Sequence, residues 1–236
     1  MNQENLAGND LLTVIPIAYI HTDFKEKFGV PRQSGRVPEL RGRIVFEKEY
    51  RNKEALRGIE GYSHLWLLWG FSLEKHDKWS PTVRPPRLGG NKRVGVFATR
   101  SPNRPNPIGL SCVRLAGIEE TEQYGSVLIV EGADLVDGTP IYDIKPYLPY
   151  ADAVPEALGG FAEEHRDDFL TVDLPNELSS LLPKEKLPAL IGILRDDPRP
   201  SYQSDKRTYG LFFAGFEISF FVSDSILHVT DIKKST

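Results

Sequence analysis

The sequence contains a single cysteine, Cys112, among its 236 residues. One thiol can neither form an internal disulfide nor assemble a zinc cluster, which excludes the disulfide-stabilised secreted class and the zinc-ribbon class. Because Cys112 lies in an apolar segment, we interpret it as a packing residue.

Long hydrophobic runs are also missing, since no apolar segment is long enough to span a bilayer. The first twelve residues have neither a basic start nor a continuous apolar core, so they do not predict a signal peptide. The composition, with 40% hydrophobic and 26% charged residues, is that of an ordinary globular protein. We therefore expect a cytoplasmic protein that does not attach to a membrane.

The common nucleotide and hydrolase motifs are absent. The chain has no GxxxxGK[ST] loop, no GxGxxG between a strand and a helix, and no GxSxG elbow. Five histidines lack metal-ligand spacing, so we expect no metal site. The sequence instead offers a basic surface, loops stiffened by proline and a loop rich in Asp and Tyr. These features suit the recognition of nucleic acid and a reaction that depends on positioning more than on covalent catalysis.

Carboxylates are absent from residues 79–118, a stretch that carries six arginines and a lysine. Residues 30–114 contain 17 Lys and Arg but 7 Asp and Glu, in a chain whose net charge is −4. A one-sign stretch of this length indicates a polyanionic partner, although acidic residues from elsewhere in the chain could instead fold over it.

Within this stretch lies a proline-rich loop, GVFATRSPNRPNPIGLS at residues 95–111. Three prolines fix the backbone, so Arg100 and Arg104 project from a stiff frame beside neutral hydrogen-bonding side chains. The pattern is typical of an anion or nucleotide site; a rigid surface loop with solvated arginines is the alternative.

Short apolar segments separated by long connections run through the first two thirds of the chain. We predict strands at residues 12–20, 43–46, 63–71, 110–115 and 126–130, and a buried strand that ends at residues 94–97. A short helix is predicted at residues 52–56, and a loop rich in acids and aromatics at residues 131–152. These features favour a mainly β fold, an antiparallel barrel or closed sheet, over a doubly wound α/β fold.

After residue 153 the sequence becomes acidic and is interrupted by prolines. Residues 176–182 and 189–194 are predicted helices, and residues 208–213, 217–222 and 226–229 are predicted strands. We therefore expect two domains, a β-barrel cofactor-binding and catalytic domain at residues 1–153 and a small α+β C-terminal domain at residues 154–236.

Six motifs, in order along nearly the whole chain, resemble the TrmO (TsaA-like) family of tRNA adenine-N6 methyltransferases. They are PRQSG at 31–35, SHLW at 63–66, PTVRPPRLGGN at 81–91, GVFATRSPNRPNPIGLS at 95–111, LVDGTPIYDIKPYLPYAD at 135–152 and DPRPSY at 197–202. The resemblance implies a single-sheeted β-barrel methyltransferase that works as a homodimer. It also implies that S-adenosylmethionine is the cofactor and tRNA the partner, with methylation at N6 of threonylcarbamoyladenosine at position 37, next to the anticodon.

The same resemblance carries roles onto particular residues. The implied cofactor contacts are Pro31, Arg32, Gln33, Ser72, Leu73, Arg100, Leu110, Glu131, Gly132, Ala133 and Asp134. The implied tRNA contacts are Arg84, Arg87, Arg93, Arg104, Arg199 and Tyr202. Since N6 of an acylated adenine must lose its proton, Asp134, Asp137 and Tyr142 are candidate catalytic residues. For Asp137 the alternative is a structural turn residue, because Asp-Gly-Thr-Pro is favourable turn chemistry.

Two alternatives stay open from the sequence. DPRPSY either completes the cofactor site of the partner in a homodimer or forms a rigid turn between domains. The whole chain is alternatively a non-catalytic RNA-binding protein that uses a basic barrel face and no cofactor.

Overall fold

The computed structural model describes residues 12–73, 78–85, 88, 90–199 and 207–235. The strands in these ranges are β1 (Ala18–His21), β2 (Arg41–Phe46), β3 (His64–Gly70), β4 (Thr82–Val83), β5 (Val94–Gly95), β6 (Ile108–Thr121), β7 (Gly125–Glu131), β8 (Thr139–Pro146), β9 (Thr171–Asp173), β10 (Tyr209–Phe213), β11 (Phe216–Ser223) and β12 (Ile226–Lys234). The α-helices there are α1 (Pro149–Asp152), α2 (Asn176–Ser179) and α3 (Leu187–Arg195). The prediction of a mainly β protein is confirmed.

Six strands close into a barrel in the order β1-β2-β7-β6-β3-β8, and each neighbouring pair is antiparallel. Successive side chains along a strand point to opposite faces, so every second residue faces the interior. Ile20, Ile44, Leu67 and Val130 are among the fully buried side chains of this interior. The removal of these side chains from water is the main source of the barrel's stability.

The loop prediction for residues 131–152 is wrong, because β8 lies inside that segment. Its aspartates, prolines and tyrosines favour a loop locally, yet β8 pairs with β1 on one side and β3 on the other. Pairing on both sides, with Ile141 buried in the interior, outweighs the weak strand propensity.

The predicted buried strand ending at residues 94–97 is also wrong in its second half. β5 ends at Gly95, and a 3₁₀ turn follows at Val96–Ala98. This turn buries Val96 but leaves the ring of Phe97 76% exposed. An apolar residue type alone does not distinguish these two environments.

The C-terminal part forms a second sheet in the order β10-β11-β12-β9, in which only the β12–β9 pair is parallel. α3 packs its buried residues Leu190 and Ile193 into the same core as this sheet. Phe24, Val37 and Leu40, from the segment between β1 and β2, are buried in that core as well. The segment is therefore anchored on the C-terminal sheet.

Strand direction brings several connections to one end of the barrel. β1, β3 and β7 end there, while β2, β6 and β8 begin there, as the pairs Arg41 with Glu131, Gly70 with Ile108 and Ile20 with Thr139 show. We call this the site end. The segments at residues 22–40, 71–107 and 132–138 all leave from it.

Candidate active site

The predicted cofactor contacts all lie on segments that meet at the site end. Pro31, Arg32 and Gln33 lie between β1 and β2, Ser72 and Leu73 follow β3, Arg100 precedes β6, Leu110 lies near the start of β6, Glu131 ends β7, and Gly132, Ala133 and Asp134 follow it. Residues far apart in the sequence are thus gathered because antiparallel strands alternate in direction.

Asp134 lies at the centre of a hydrogen-bonded cluster. Its Oδ1 accepts a 2.6 Å bond from the hydroxyl of Ser111, which is almost fully buried. The Ser111 oxygen in turn accepts a 3.0 Å bond from Nε1 of Trp69. These three residues, the Asp134 cluster, link β3, β6 and the turn after β7.

Gly109 makes room for this arrangement. The ring of Trp69 lies directly over Gly109, where an added Cβ would come within 2.2 Å of the indole. A glycine at this position therefore lets the indole N–H reach Ser111 from the neighbouring strand.

Burial raises the pKa of the Asp134 carboxyl above its ordinary value. Several weaker influences lower this pKa, because they favour the ionised form. They are the Ser111 hydroxyl, the backbone N–H groups of Asp134 itself and of Ser34, and the positive charge of Arg100. A carboxylate with a raised pKa is a stronger base than an exposed one, and such groups are concentrated at functional sites.

Arg100 joins the cluster to the segment between β1 and β2. Its guanidinium donates to Oε1 of Gln33. The neighbouring Ser34 accepts a 3.1 Å bond from the backbone N–H of Cys112 on β6. The PRQSG segment is therefore fixed against both the proline-rich loop and the barrel.

Two glycines bring this segment against the turn that carries Asp134. Gly35 donates a 2.8 Å backbone bond to Gly132, and Gly132 donates a 2.8 Å bond to Leu40. Gly132 has φ +75, and an added Cβ would lie 3.2 Å from the Cα of Gly35. Only glycine fits this close approach without strain.

Arg32 connects the same segment to the C-terminal part of the chain. Its Nη2 donates to the backbone carbonyls of Asp197, at 3.2 Å, and Arg199, at 2.9 Å. The Arg199 guanidinium forms a fork with both oxygens of Asp197, at 2.8 Å each. The first residues of DPRPSY are thus bound to PRQSG within one chain.

A cleft of about 450 Å³ lies at this junction. Pro31 and Arg32 line it from one side, and Asp197 and Arg199 from the other. Two predicted cofactor contacts and one predicted tRNA contact therefore share a concave surface between the β1–β2 segment and the residues that follow α3.

Glu131 lies on the outside of the barrel. Its carboxylate pairs with Arg41, at 3.4 Å, and with Arg114, so its side chain is occupied by cations of the adjacent strands. The structure does not bring this side chain into the Asp134 cluster.

Asp137 braces the chain after β1. Its Oδ1 lies 3.1 Å from Nδ1 of His21 and accepts a 3.1 Å bond from the backbone N–H of Thr22. Its own N–H donates to Phe24 at 2.8 Å. These contacts are those of a turn residue, the alternative that the sequence left open.

Tyr142 occupies an irregularity in the pairing of β8 with β3. The register changes between Leu68 and Trp69, so Tyr142 has no directly opposed residue on β3. Its hydroxyl end packs over Gly70, where an added Cβ would meet it at 2.2 Å. Tyr142 therefore lies near the end of β3, outside the hydrogen bonds of the Asp134 cluster.

Besides Arg199, which pairs with Asp197, the predicted tRNA contacts form three groups. Arg84 and Arg93 are exposed, and Arg93 donates to the Thr82 hydroxyl at 3.3 Å. Arg104 is half-buried and donates to the carbonyls of Val96, Thr99 and Ser101, so it holds its own loop together. Arg87 and Tyr202 lie outside the described residues.

Ser72, Leu73 and Leu110 are exposed at the site end. None of these three side chains hydrogen-bonds to the Asp134 cluster within the part of the chain that the structure describes. They lie at the site end because Ser72 and Leu73 follow β3 and Leu110 is near the start of β6.

Sequence reasoning missed Ser111, Trp69 and Ser34. Ser111 closes the proline-rich motif, and its position two residues after Gly109 on an apolar strand indicates an inward-facing side chain. No local signal, however, points to Asp134 as its partner, 23 residues further along the chain.

Comparison with known proteins identifies two family domains, one that contains the barrel strands and one that contains the C-terminal sheet. The family model described as tRNA-methyltransferase O N-terminal domain matches residues 19–153, and that of the TrmO C-terminal domain matches residues 169–235. The chain belongs to the TrmO family.

Individual TrmO relatives cover most of the chain. The tRNA (adenine(37)-N6)-methyltransferase of Escherichia coli (strain K12) is 43% identical over 219 residues, which is 89% of this chain and 92% of the relative. A Pyrococcus abyssi protein named as a probable S-adenosyl-L-methionine-binding protein is 38% identical over 150 residues, 64% of this chain and 76% of that protein. The crystal structure of TrmO from P. aeruginosa superposes with a TM-score of 0.77 at 34% identity, covering 95% of this chain and 98% of that one.

The hydrogen bond from Ser111 to Asp134 gives a first test of the site. Ser111→Ala removes a bond that favours the ionised carboxylate, so the pKa of Asp134 rises further. If ionised Asp134 is required, the acidic limb of the kcat–pH profile moves to higher pH in this variant. Profiles of kcat for the wild type and the variant measure the shift.

Ser126→Ala is the matched control, because Ser126 makes the same kind of bond, at 2.7 Å, to Glu120 at the opposite end of the barrel. Its profile should coincide with that of the wild type. Identical profiles for Ser111→Ala and the wild type would remove Asp134 ionisation from the rate-determining steps.

Proposed function

We propose that this protein is an S-adenosylmethionine-dependent tRNA methyltransferase that methylates N6 of threonylcarbamoyladenosine at position 37. The observation that carries the proposal is the Asp134 cluster, under the influence of the positive charge of Arg100, at the site end of a TrmO-family barrel. The substrate is proposed from the resemblance, whereas the chemistry is argued from the residues.

The residues at the site fit the charges of S-adenosylmethionine. The cofactor carries a carboxylate and two cationic centres, the amino group and the sulfonium. Arg100 offers an exposed guanidinium that suits a carboxylate. Asp134 is a partly buried carboxylate, and its protein partners do not fully offset the desolvation that raises its pKa, so a nearby cation would stabilise its ionised form.

When bound, the cofactor supplies an electrophilic methyl group. The part of this chain in the reaction is to orient the adenine and to accept a proton. As the N6–C bond forms, the bond between the methyl carbon and the sulfonium sulfur would break and N6 would lose its proton. Asp134, whose pKa is raised by burial, lies at the site end and would accept that proton. Ser111 holds the carboxylate in one orientation through its hydrogen bond, and Trp69 in turn fixes the Ser111 hydroxyl.

The exposed Arg84 and Arg93 would meet phosphates of the tRNA. Both lie in the stretch without carboxylates, on a segment that leaves the barrel at the site end. Binding of tRNA at this surface should therefore weaken steeply with salt.

The assembly is also proposed. We propose a cytoplasmic homodimer whose barrel domain, residues 1–153, binds the cofactor and whose C-terminal domain, residues 154–236, supports it. The anchoring of Phe24, Val37 and Leu40 in the C-terminal core supports this division of labour.

Methyl transfer tests the proposal. The purified protein, incubated with methyl-labelled S-adenosylmethionine and tRNA that carries threonylcarbamoyladenosine, should label that tRNA. A protein that binds the cofactor but transfers no label would contradict the substrate. A protein that binds RNA but no S-adenosylmethionine would be the non-catalytic RNA-binding protein instead.

A further inference from the structure

Trp79 and Phe97 form an exposed aromatic pair beside the site. The indole of Trp79 is 50% exposed and the ring of Phe97 is 76% exposed. Their centroids are 6.4 Å apart and their planes are inclined by 22°, so the two rings are nearly parallel. Both present broad apolar surface to solvent.

The backbone holds this pair in place. The residue after Trp79, Ser80, donates a 3.1 Å bond to the carbonyl of Asn103, and its hydroxyl donates to Thr82 at 2.7 Å. On the other side, Val96 is buried and donates a 3.0 Å bond to Pro81. The rings are thus exposed, while hydrogen bonds fix the backbone beside each of them. The pairing of β4 with β5 joins the two backbone segments that carry the rings.

The pair belongs to the basic stretch of the sequence at residues 79–118. Trp79 and Phe97 lie within the stretch that contains no Asp or Glu, and Arg84, Lys92 and Arg93, which flank the strands β4 and β5 in the sequence, are exposed. Within the described residues, neither Arg84 nor Arg93 forms an ion pair with a carboxylate. Aromatic rings beside cations are typical of sites for single-stranded nucleic acid, where bases stack on the rings and the cations follow the backbone.

The pair is connected to the candidate active site. Phe97 lies three residues before Arg100, whose guanidinium donates to Gln33. The whole segment leaves β3 and returns to β6 at the site end. A nucleotide stacked on these rings would belong to the same RNA strand as the reacting adenosine.

We propose that Trp79 and Phe97 are a stacking platform for an unpaired base of the RNA substrate. This inference rests on the proposed function and adds residues that bind a base face rather than a phosphate. Stacking tolerates any base, so the platform would contribute affinity and positioning but little sequence preference.

Binding of a synthetic, unmodified RNA hairpin with an unpaired loop tests the platform without requiring catalysis. Trp79→Ala and Phe97→Ala should each weaken hairpin binding by about 5- to 150-fold, and Trp79→Phe should largely retain it. Tyr150→Ala, which removes another highly exposed ring, is the control and should bind like the wild type. The salt dependence should stay unchanged in the Trp79 and Phe97 variants, because no phosphate contact is lost.

Trp79 also provides a spectroscopic signal, because a stacked base quenches indole fluorescence. The hairpin should quench the wild type more than Trp79→Phe, at saturating RNA in both cases. Circular dichroism and S-adenosylmethionine binding should match the wild type in every variant, which separates loss of the platform from misfolding.

The possible failures are distinguishable. Wild-type affinity in both alanine variants would overturn the platform while leaving the methyltransferase proposal intact. A change in oligomeric state with unaltered RNA affinity would also overturn it, since a second copy of the chain would then cover the rings. Failure of the wild type itself to bind the hairpin would overturn the platform, whereas the methyltransferase proposal stands or falls with methyl transfer to tRNA that carries threonylcarbamoyladenosine.

Discussion

Replacing Asp134 by asparagine is expected to lower kcat by about 10²- to 10⁴-fold while raising the melting temperature. The rate falls because a general base is lost, for which that range is typical. The amide keeps the shape of the carboxylate and can still accept the Ser111 hydrogen bond, so the fold should survive.

The rise in stability follows from the direction of the pKa shift. Burial raises the pKa of Asp134 in the folded protein above its unfolded value, so the folded state binds the proton more tightly. Stability therefore falls as pH rises from the unfolded pKa through the folded pKa, and above the folded pKa the whole penalty of the partly buried charge is present. Asparagine carries no charge and removes that penalty.

Thermal unfolding at neutral pH and steady-state kinetics measure the two effects together. Asp231→Asn is the control, since it makes the same change in the C-terminal sheet, where Asp231 pairs with Lys233. We expect this control to keep its kcat and to gain no stability. An Asp134→Asn variant with normal turnover would show that another group accepts the proton.

Arg100→Ala is expected to weaken S-adenosylmethionine binding by about 10- to 150-fold, the usual cost of losing a hydrogen bond to a charged group. The same change removes a positive charge that lowers the pKa of Asp134. The acidic limb of the rate profile should therefore also move to higher pH. Calorimetric titration with the cofactor gives the affinity, and Arg93→Ala is the control because its side chain reaches Thr82 rather than Gln33.

Subunits that lack Arg100 should not be rescued by subunits that lack Arg199. Arg32 binds the carbonyl of Arg199 within the same chain, and its neighbour Gln33 accepts from Arg100. We therefore expect each chain to build its own site, so that every site in a mixture lacks one of the two arginines. Recovery of activity on mixing the Arg100→Ala and Arg199→Ala proteins would show instead that DPRPSY serves the partner's site.

Much of the barrel could be predicted from the sequence, because its strands are short apolar segments. The strand at residues 63–71 was predicted to within a residue or two of β3. β8 was not, since its strand character depends on pairing with β1 and β3, which are distant in sequence. Phe97 was assigned to a buried strand because residue type alone does not reveal which way a turn directs a ring.

In the candidate site, too, contacts between residues distant in sequence could not be predicted. Arg100, Gln33 and Asp134 were each singled out from motifs, but no motif shows that Arg100 contacts Gln33 or that burial shifts the pKa of Asp134. Arg104 was expected to face RNA beside Arg100, yet its donors bind carbonyls of its own loop. Tertiary contacts therefore decide which of several similar side chains is free to bind a ligand.

The most direct test of the proposed function is the identity of the methylated nucleoside. After reaction with S-adenosylmethionine, tRNA that carries threonylcarbamoyladenosine is digested and its nucleosides are analysed by mass spectrometry, beside tRNA with unmodified adenosine at position 37. We predict one added methyl group on N6 of threonylcarbamoyladenosine and none in the unmodified tRNA. Methylation at any other atom or nucleoside, or none with the cofactor bound, would contradict the account.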